Sequence, residues 1–348
     1  MIWTVSDLMI LLLTAALVIN AAGGAALFLC RKLERVASMG ELSGILKGII
    51  LYTAFGLPVM VGVAIFKFTF VGRSYVVSED LEHGWIMRHV PFSIYSPWWV
   101  RILFWVLCLV WLLGLLWFGA RKLRRTGRLL KRLEATARQK EDEVFEECVE
   151  KVFGSPRKGR ICLYGSDFVP SPFIYGWVKK RILLPAMDFS ERERRLIYEH
   201  ELVHCKKGDY FFRQLVFWLC AIYWFNPGIY VLADYFVDVN EMACDEAVLK
   251  KQEKGMAYWY AMLIYRISVD PTGEALEVIK FTGCGKSKLE RRIKRMKRKT
   301  NRKAYVVVLA SALMATAFPA TALGASAGLG CPSGILRRRP EGLLCGRS

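Results

Sequence analysis

Four stretches of this chain, residues 8–30, 48–66, 102–120 and 304–323, are apolar for long enough to cross a bilayer. No other feature constrains the fold as tightly, because about 20 apolar residues in a helix cover the roughly 30 Å of hydrocarbon. In lipid each backbone N–H and C=O must be satisfied within its own segment, so each stretch is predicted to be a helix. The expected fold class is a mainly α, multi-pass membrane protein with four transmembrane helices. Hydrophobic residues make up 54% and aromatic residues 13% of the 348, which excludes a disordered chain.

The net charge of +19 points to nucleic acid or to lipid, and its distribution decides between them. Residues 121–140 carry nine Lys or Arg against one Glu, and residues 286–303 carry eleven against one. Each cluster abuts an apolar run, where basic residues mark a cytoplasmic flank and bind anionic lipid headgroups. No nucleic-acid motif accompanies either cluster, so no direct nucleic-acid partner is expected. The leader MIWTVSD has no basic residue while Arg31, Lys32 and Arg35 follow the first run, the pattern of a span and not of a signal peptide.

With all three basic groups inside, the amino terminus lies outside and residues 1–120 form three transmembrane helices. Residues 67–101 are then an external loop whose Trp98 and Trp99 sit at the returning interface. Residues 121–303 form a cytoplasmic domain, residues 304–323 the fourth span, and residues 324–348 a short external tail. Arg337, Arg338 and Arg339 in that tail run against the charge rule. The ten cysteines show no CxxC pair, which argues against a disulfide framework or a zinc ribbon; only Cys331 and Cys345 are placed to bond.

A fifth apolar stretch, residues 215–233, is broken at its middle by Asn226, Pro227 and Gly228. Such a break predicts two short helices at the membrane face or in a core, not a span.

The chemistry centres on His200-Glu201-Leu202-Val203-His204. Two histidines at i and i+4 share one helix face and reach one zinc ion, while the glutamate beside the first is placed to take a proton from the attacking water. Ser190 and Glu193 form an S-x-x-E capping box ahead of the run, and Gly208 is placed to end the helix. The competing reading is a surface helix with solvated histidines, since Glu199 and Glu201 flank His200.

A catalytic zinc takes a third protein ligand and keeps an open position. Glu241 is the candidate, with Asp245 one turn on and suited to accept the free ring N–H of a ligating histidine. Cys244 is a rival ligand, but its place on the helix turns it to a different face. His200 and Glu241 cannot share an ion across a bilayer, so residues 215–233 are expected to return on themselves as a re-entrant or membrane-surface pair.

These residues resemble the BlaR/MecR type of integral-membrane zinc metallopeptidases. The resemblance rests on SPFIYGWVKKRILLP at 171–185, HELVHCKKGD at 200–209, FNP at 225–227, NEMACDEAVL at 240–249 and the LERRIKRMKR run, and it covers residues 1–323. It implies a cytoplasmic α+β zincin-like (gluzincin) domain with His200, His204 and Glu241 as ligands, Glu201 as base, Asp245 supporting a ligand, and Asp209 structural. It also implies a bacterial cell-membrane protein in signalling, whose substrate is a cytoplasmic protein such as a transcriptional repressor, or the chain itself. The β-lactam-sensing members continue past the fourth span into an external penicillin-binding domain, where this sequence has only its tail. A stand-alone member, a partner of a separate sensor, or a chain altered near its end are the expectations, with oligomeric state open.

FIYGWV and RILLP, bounded by Gly and Pro, read as a small hairpin or edge strands, a place where an extended peptide pairs by its main chain. Two rival functions stay open: a quality-control or prenyl-protein HExxH protease, and a non-catalytic signalling or scaffold protein with a structural zinc. His83 and His89 in the external loop are candidates for sensing a ligand or pH.

Overall fold

A computed structural model describes residues 20–34 except 22, 37–66, 98–269 except 158, 170 and 254, and 286–296. The runs at 8–19 and 304–323, the loop at 67–97 with His83 and His89, and the tail with Cys331 and Cys345 lie outside these residues.

A helical stretch over residues 23–33 leads into α1 (Met39–Phe66). Helix α2 (Trp98–Thr136) follows, and it crosses from the apolar run into the basic cluster without a break, so residue 120 marks no structural boundary. Along Ile102–Thr136 it is, among the described residues, the one helix long and apolar enough to cross a membrane. Many apolar side chains of its first half are exposed, Trp105 at 60% and Trp117 at 66%, whereas Leu133 near its end is fully buried.

The remainder is a small sheet framed by helices: β1 (Arg138–Lys140), α3 (Glu143–Phe153), β2 (Ile161–Ser166), β3 (Phe173–Tyr175) and β4 (Lys180–Pro185), then α4 (Glu191–Lys207), α5 (Asp209–Ile222), α6 (Pro227–Leu249), α7 (Met256–Val269) and α8 (Lys286–Met296). The strand order is β1-β2-β4-β3, with β2 and β4 parallel and the outer pairs antiparallel. FIYGWV and RILLP thus form a hairpin, as the sequence predicts, with Ile174 opposite Ile182. Gly176 turns it at φ 105°, where an added Cβ would lie 2.1 Å from the Lys179 carbonyl oxygen.

The unbroken apolar run in β4 has a packing cause, because both faces of the sheet are covered. Ile182 and Leu184 pack among α3, α4 and α7, while Leu183 packs with Leu133 of α2 and Val169 on the other face. A separate core joins residues 26–30, α1, α5 and α6 through Leu42, Leu46, Leu219 and Phe236. Helix α6 runs through both cores, which fixes the middle of that helix, where Glu241 and Asp245 lie.

The stretch 215–233 is two helices and a turn. Asn226 caps α6 by accepting from Gly228 N, and Pro227 occupies its first turn. The turn lies along α2: the Trp111 indole donates to the Ile222 carbonyl at 3.0 Å, Trp224 stacks on Phe118, and Lys122 Nζ donates to the Phe217 carbonyl at 3.1 Å.

Candidate metal centre

Helix α4 begins with the predicted capping box: Ser190 accepts from Glu193 N, and the Glu193 side chain accepts from Ser190 N. It ends at Gly208, which is left-handed at φ 67°. Between these ends His200, Glu201 and His204 are all buried. A solvated surface helix is thereby excluded. Glu199, the other acid of the run, is 2% exposed and bonded to Lys151 at 2.6 Å and Gln252 at 2.9 Å.

The Nε2 atoms of His200 and His204 lie 3.2 Å apart. Glu241 of α6 brings Oε2 to 3.5 Å from the first and Oε1 to 3.5 Å from the second. These three side chains form one compact set of potential metal ligands. The structure thus brings together the two histidines of α4 and the carboxylate of α6 that the sequence singles out.

Each imidazole is held from behind. Nδ1 of His204 lies 2.7 Å from Asp209 Oδ2, and Lys47 of α1 pairs with the other Asp209 oxygen at 2.5 Å. Nδ1 of His200 is 2.8 Å from the Tyr260 hydroxyl, which itself donates to Asp245 Oδ1 at 2.9 Å. Asp245 lies 3.3 Å from that ring nitrogen, so Tyr260 stands closer than the carboxylate expected there. Asp209, expected to be structural, proves to be the direct partner of His204.

This network assigns the tautomers. With Nδ1–H donated backward on both rings, both Nε2 lone pairs point at each other and at the Glu241 carboxylate. Three electron-rich groups this close form a set that could hold a metal ion. Ligand atoms each about 2.0–2.1 Å from one tetrahedral ion are spaced roughly 3.3–3.4 Å apart, so the observed spacings fit a single zinc-sized ion. Bare of metal, the site draws protons instead. Burial opposes charging of His200, but hydrogen bonds to Asp245 and Glu241 raise it to about 9. Burial likewise opposes ionisation of Glu241, yet His204, His200 and Arg292 hold it well below the usual carboxylate range.

Glu201 lines the same cavity and accepts no hydrogen bond from the described residues, which leaves its carboxylate available as a base. Arg213 of α5 donates to Glu241 Oε1 and keeps 31% of its side chain exposed at the cavity. Ser171 and Pro172 with the first residues of the edge strand β3, Phe173 and Ile174, form one wall, and Leu263, Ile264 and Ile267 of α7 form another. Cys244 is fully buried on the far side of His204, 3.3 Å from Nδ1 and 3.7 Å from Asp209. It completes a second close set with these two residues. That side faces away from the Glu241 site, and the Asp209 charge there is already paired with Lys47.

Tyr260, Arg213 and Arg292 were not singled out by sequence reasoning. Arg292 lay hidden in a basic run assigned to lipid, whereas Lys288, Arg291 and Arg292 are committed to carboxylates of the protein.

A helix-borne pair of imidazoles, a carboxylate from a second helix and a glutamate that accepts no hydrogen bond from the described residues make the arrangement of a metallopeptidase. The BlaR1 peptidase M56 family matches residues 92–296, more than half of the chain, and the chain belongs to that family. It is similar to the regulatory protein BlaR1 of Bacillus licheniformis, 28% identical over 144 residues, which cover 41% of this chain and 24% of the relative. Methicillin resistance mecR1 proteins of Staphylococcus aureus and Staphylococcus epidermidis are 31% identical over 115 residues, 32% of this chain and 20% of theirs. The matched segment therefore spans no more than about a quarter of these relatives.

Proposed function

We propose that the chain is a membrane zinc metalloendopeptidase that hydrolyses a peptide bond of a cytoplasmic protein, or of itself, as a step in transmembrane signalling. The observation that carries this is the convergence of His200 Nε2, His204 Nε2 and the Glu241 carboxylate in the cavity that Glu201 also lines. His200, His204 and Glu241 would hold the ion. When bound, zinc polarises the scissile carbonyl and makes water acidic enough to attack near neutral pH.

Everything else falls to the protein's own side chains. Glu201 takes the proton of the attacking water and returns it to the departing amine. Asp209 and the Tyr260–Asp245 pair fix the tautomer and orientation of the two histidines. Arg213 is a cationic donor at the cavity, suited to the oxygen on which negative charge develops. Strand β3 ends the sheet, and its outer edge offers main-chain groups to an extended substrate laid across the cavity. The apolar wall from α7 suits an apolar substrate side chain.

The topology in this reading has four membrane helices, an outside amino terminus and a zincin-like domain within residues 121–303 on the cytoplasmic side. Contacts from Lys122 to Trp111 run the α5–α6 turn about 16 Å along α2, at 1.5 Å per residue. That is about half a bilayer, which supports the reading of a re-entrant hairpin with the metal centre near the cytoplasmic membrane surface. The names of the relatives, a regulatory protein and a resistance protein, favour a transcriptional repressor as substrate.

The test is proteolysis by the full chain in liposomes, with candidate repressor and self-cleavage both followed by mass spectrometry. Wild type is expected to cut at a defined bond and Glu201→Gln to bind zinc without cutting. Equal cleavage by both proteins would overturn the assignment, and degradation of many unrelated membrane proteins would favour a quality-control protease.

A further inference from the structure

We propose that Arg292 is a positioning residue of the metal centre, and that docking of the helix carrying it, α8, sets how tightly the centre holds its ion. The inference rests on the reading of His200, His204 and Glu241 as ligands. Arg292 comes from outside the two helices that supply them, yet it is only 12% exposed and lines the cavity.

Its guanidinium forks onto Asp245, Nε to Oδ2 at 2.8 Å and Nη2 to Oδ1 at 2.8 Å, and Nη1 reaches 3.4 Å from Glu241 Oε2. One planar group thus touches the carboxylate of a ligand and the carboxylate behind another. Asp245 then takes the Tyr260 hydroxyl, and that hydroxyl takes Nδ1 of His200. Two parallel bonds fix the plane of a carboxylate as well as its charge, which a point-like ammonium does not do. Arg292 therefore orients two of the three ligands, Glu241 by contact and His200 through Asp245 and Tyr260.

Helix α8 is held in place by contacts that do not involve the ligands. Lys288 lies 3.1 Å from Asp238, and Arg291 bonds Asp238 at 2.6 Å and Glu34 at 3.0 Å. Arg295 donates to the carbonyls of Glu34 at 3.1 Å and Ala37 at 2.7 Å. Leu289 and Met296 pack into the core beneath α4 and α7. The helix therefore clamps the turn after residue 33 and the middle of α6 while inserting Arg292 into the centre.

The experiment measures zinc affinity of the detergent-solubilised full chain by chelator competition, all in a Glu201→Gln parent to prevent cleavage. Arg292→Ala is expected to weaken binding about 10–100-fold, the range for lost outer partners of metal ligands. Arg292→Lys should recover only part of this, and Asp245→Asn with Arg292→Ala should bind no more weakly than the worse single variant. Lys288→Ala with Arg291→Ala, which touches no ligand, should weaken binding in the same direction. Lys294→Ala, at a side chain 79% exposed on the same helix, should leave it unchanged. Should Arg292→Ala fail to fold, Arg292→Lys and the Lys288, Arg291 pair decide. Affinities within twofold of the parent in these variants overturn the proposal; a parent that binds no zinc overturns the ligand reading instead.

Discussion

Gly114 and Trp224 are in direct contact, so close that a Cβ on residue 114 would lie 2.2 Å from Cε2 of the indole. Only glycine allows the α5–α6 turn to seat against α2. Gly114→Leu is expected to lower stability by about 1–3 kcal/mol, the range for overpacking a filled site. Thermal unfolding in detergent reads this, and adding Trp224→Ala should restore part of the loss, since the two changes meet at one contact. Unchanged melting of Gly114→Leu would mean the turn does not pack there.

Among the described residues Asp209 is the one carboxylate bonded to His204 Nδ1, and Lys47 offsets its charge. Burial opposes ionisation of Asp209, yet His204 and Lys47 bring it down to about 2. Asp209→Asn keeps the size and loses the charge, so zinc affinity should fall about 10–100-fold while the chain stays folded. Chelator competition beside circular dichroism checks both. Affinity equal to wild type would return Asp209 to a purely structural role.

Cys148 of α3 is 1% exposed, and burial, reinforced by the nearby Glu199 charge, raises its thiol to about 11 from 9.0. The thiolate is the reactive form, so at pH 8 its fraction drops from about a tenth to about a thousandth. Site-resolved alkylation should find Cys148 inert in the folded chain and reactive after unfolding. The sign for stability follows: the folded state keeps its proton where the unfolded state loses it, so this contribution is intact below pH 9 and is lost as pH rises from 9 toward 11. Rapid labelling of the folded protein at pH 8 would contradict this packing.

The local features of the site were legible in the sequence. Ser190, Glu193 and Gly208 bound a helix by cap chemistry, Asn226 and Pro227 break an apolar run, and the spacing of His200, His204, Glu241 and Asp245 places each pair on one helix face. Tyr260, Arg213 and Arg292 were not legible, because nothing local marks a side chain that meets its partner only after the chain folds. Arg292 was further masked by its neighbours: in a run of like charges, composition does not separate the guanidinium turned inward from those turned out. Asp209 was visible as a residue, but its role depends on the left-handed turn at Gly208, which swings it back beneath His204.

The central claim is that α4 and α6 hold one ion between them, and the most direct measurement is the zinc content of the purified full chain by elemental analysis. One zinc per chain is expected in wild type and in Glu201→Gln, and about a tenth or less in Glu241→Ala after dialysis against a mild chelator. Full zinc retained by Glu241→Ala, or none bound by wild type, would contradict it.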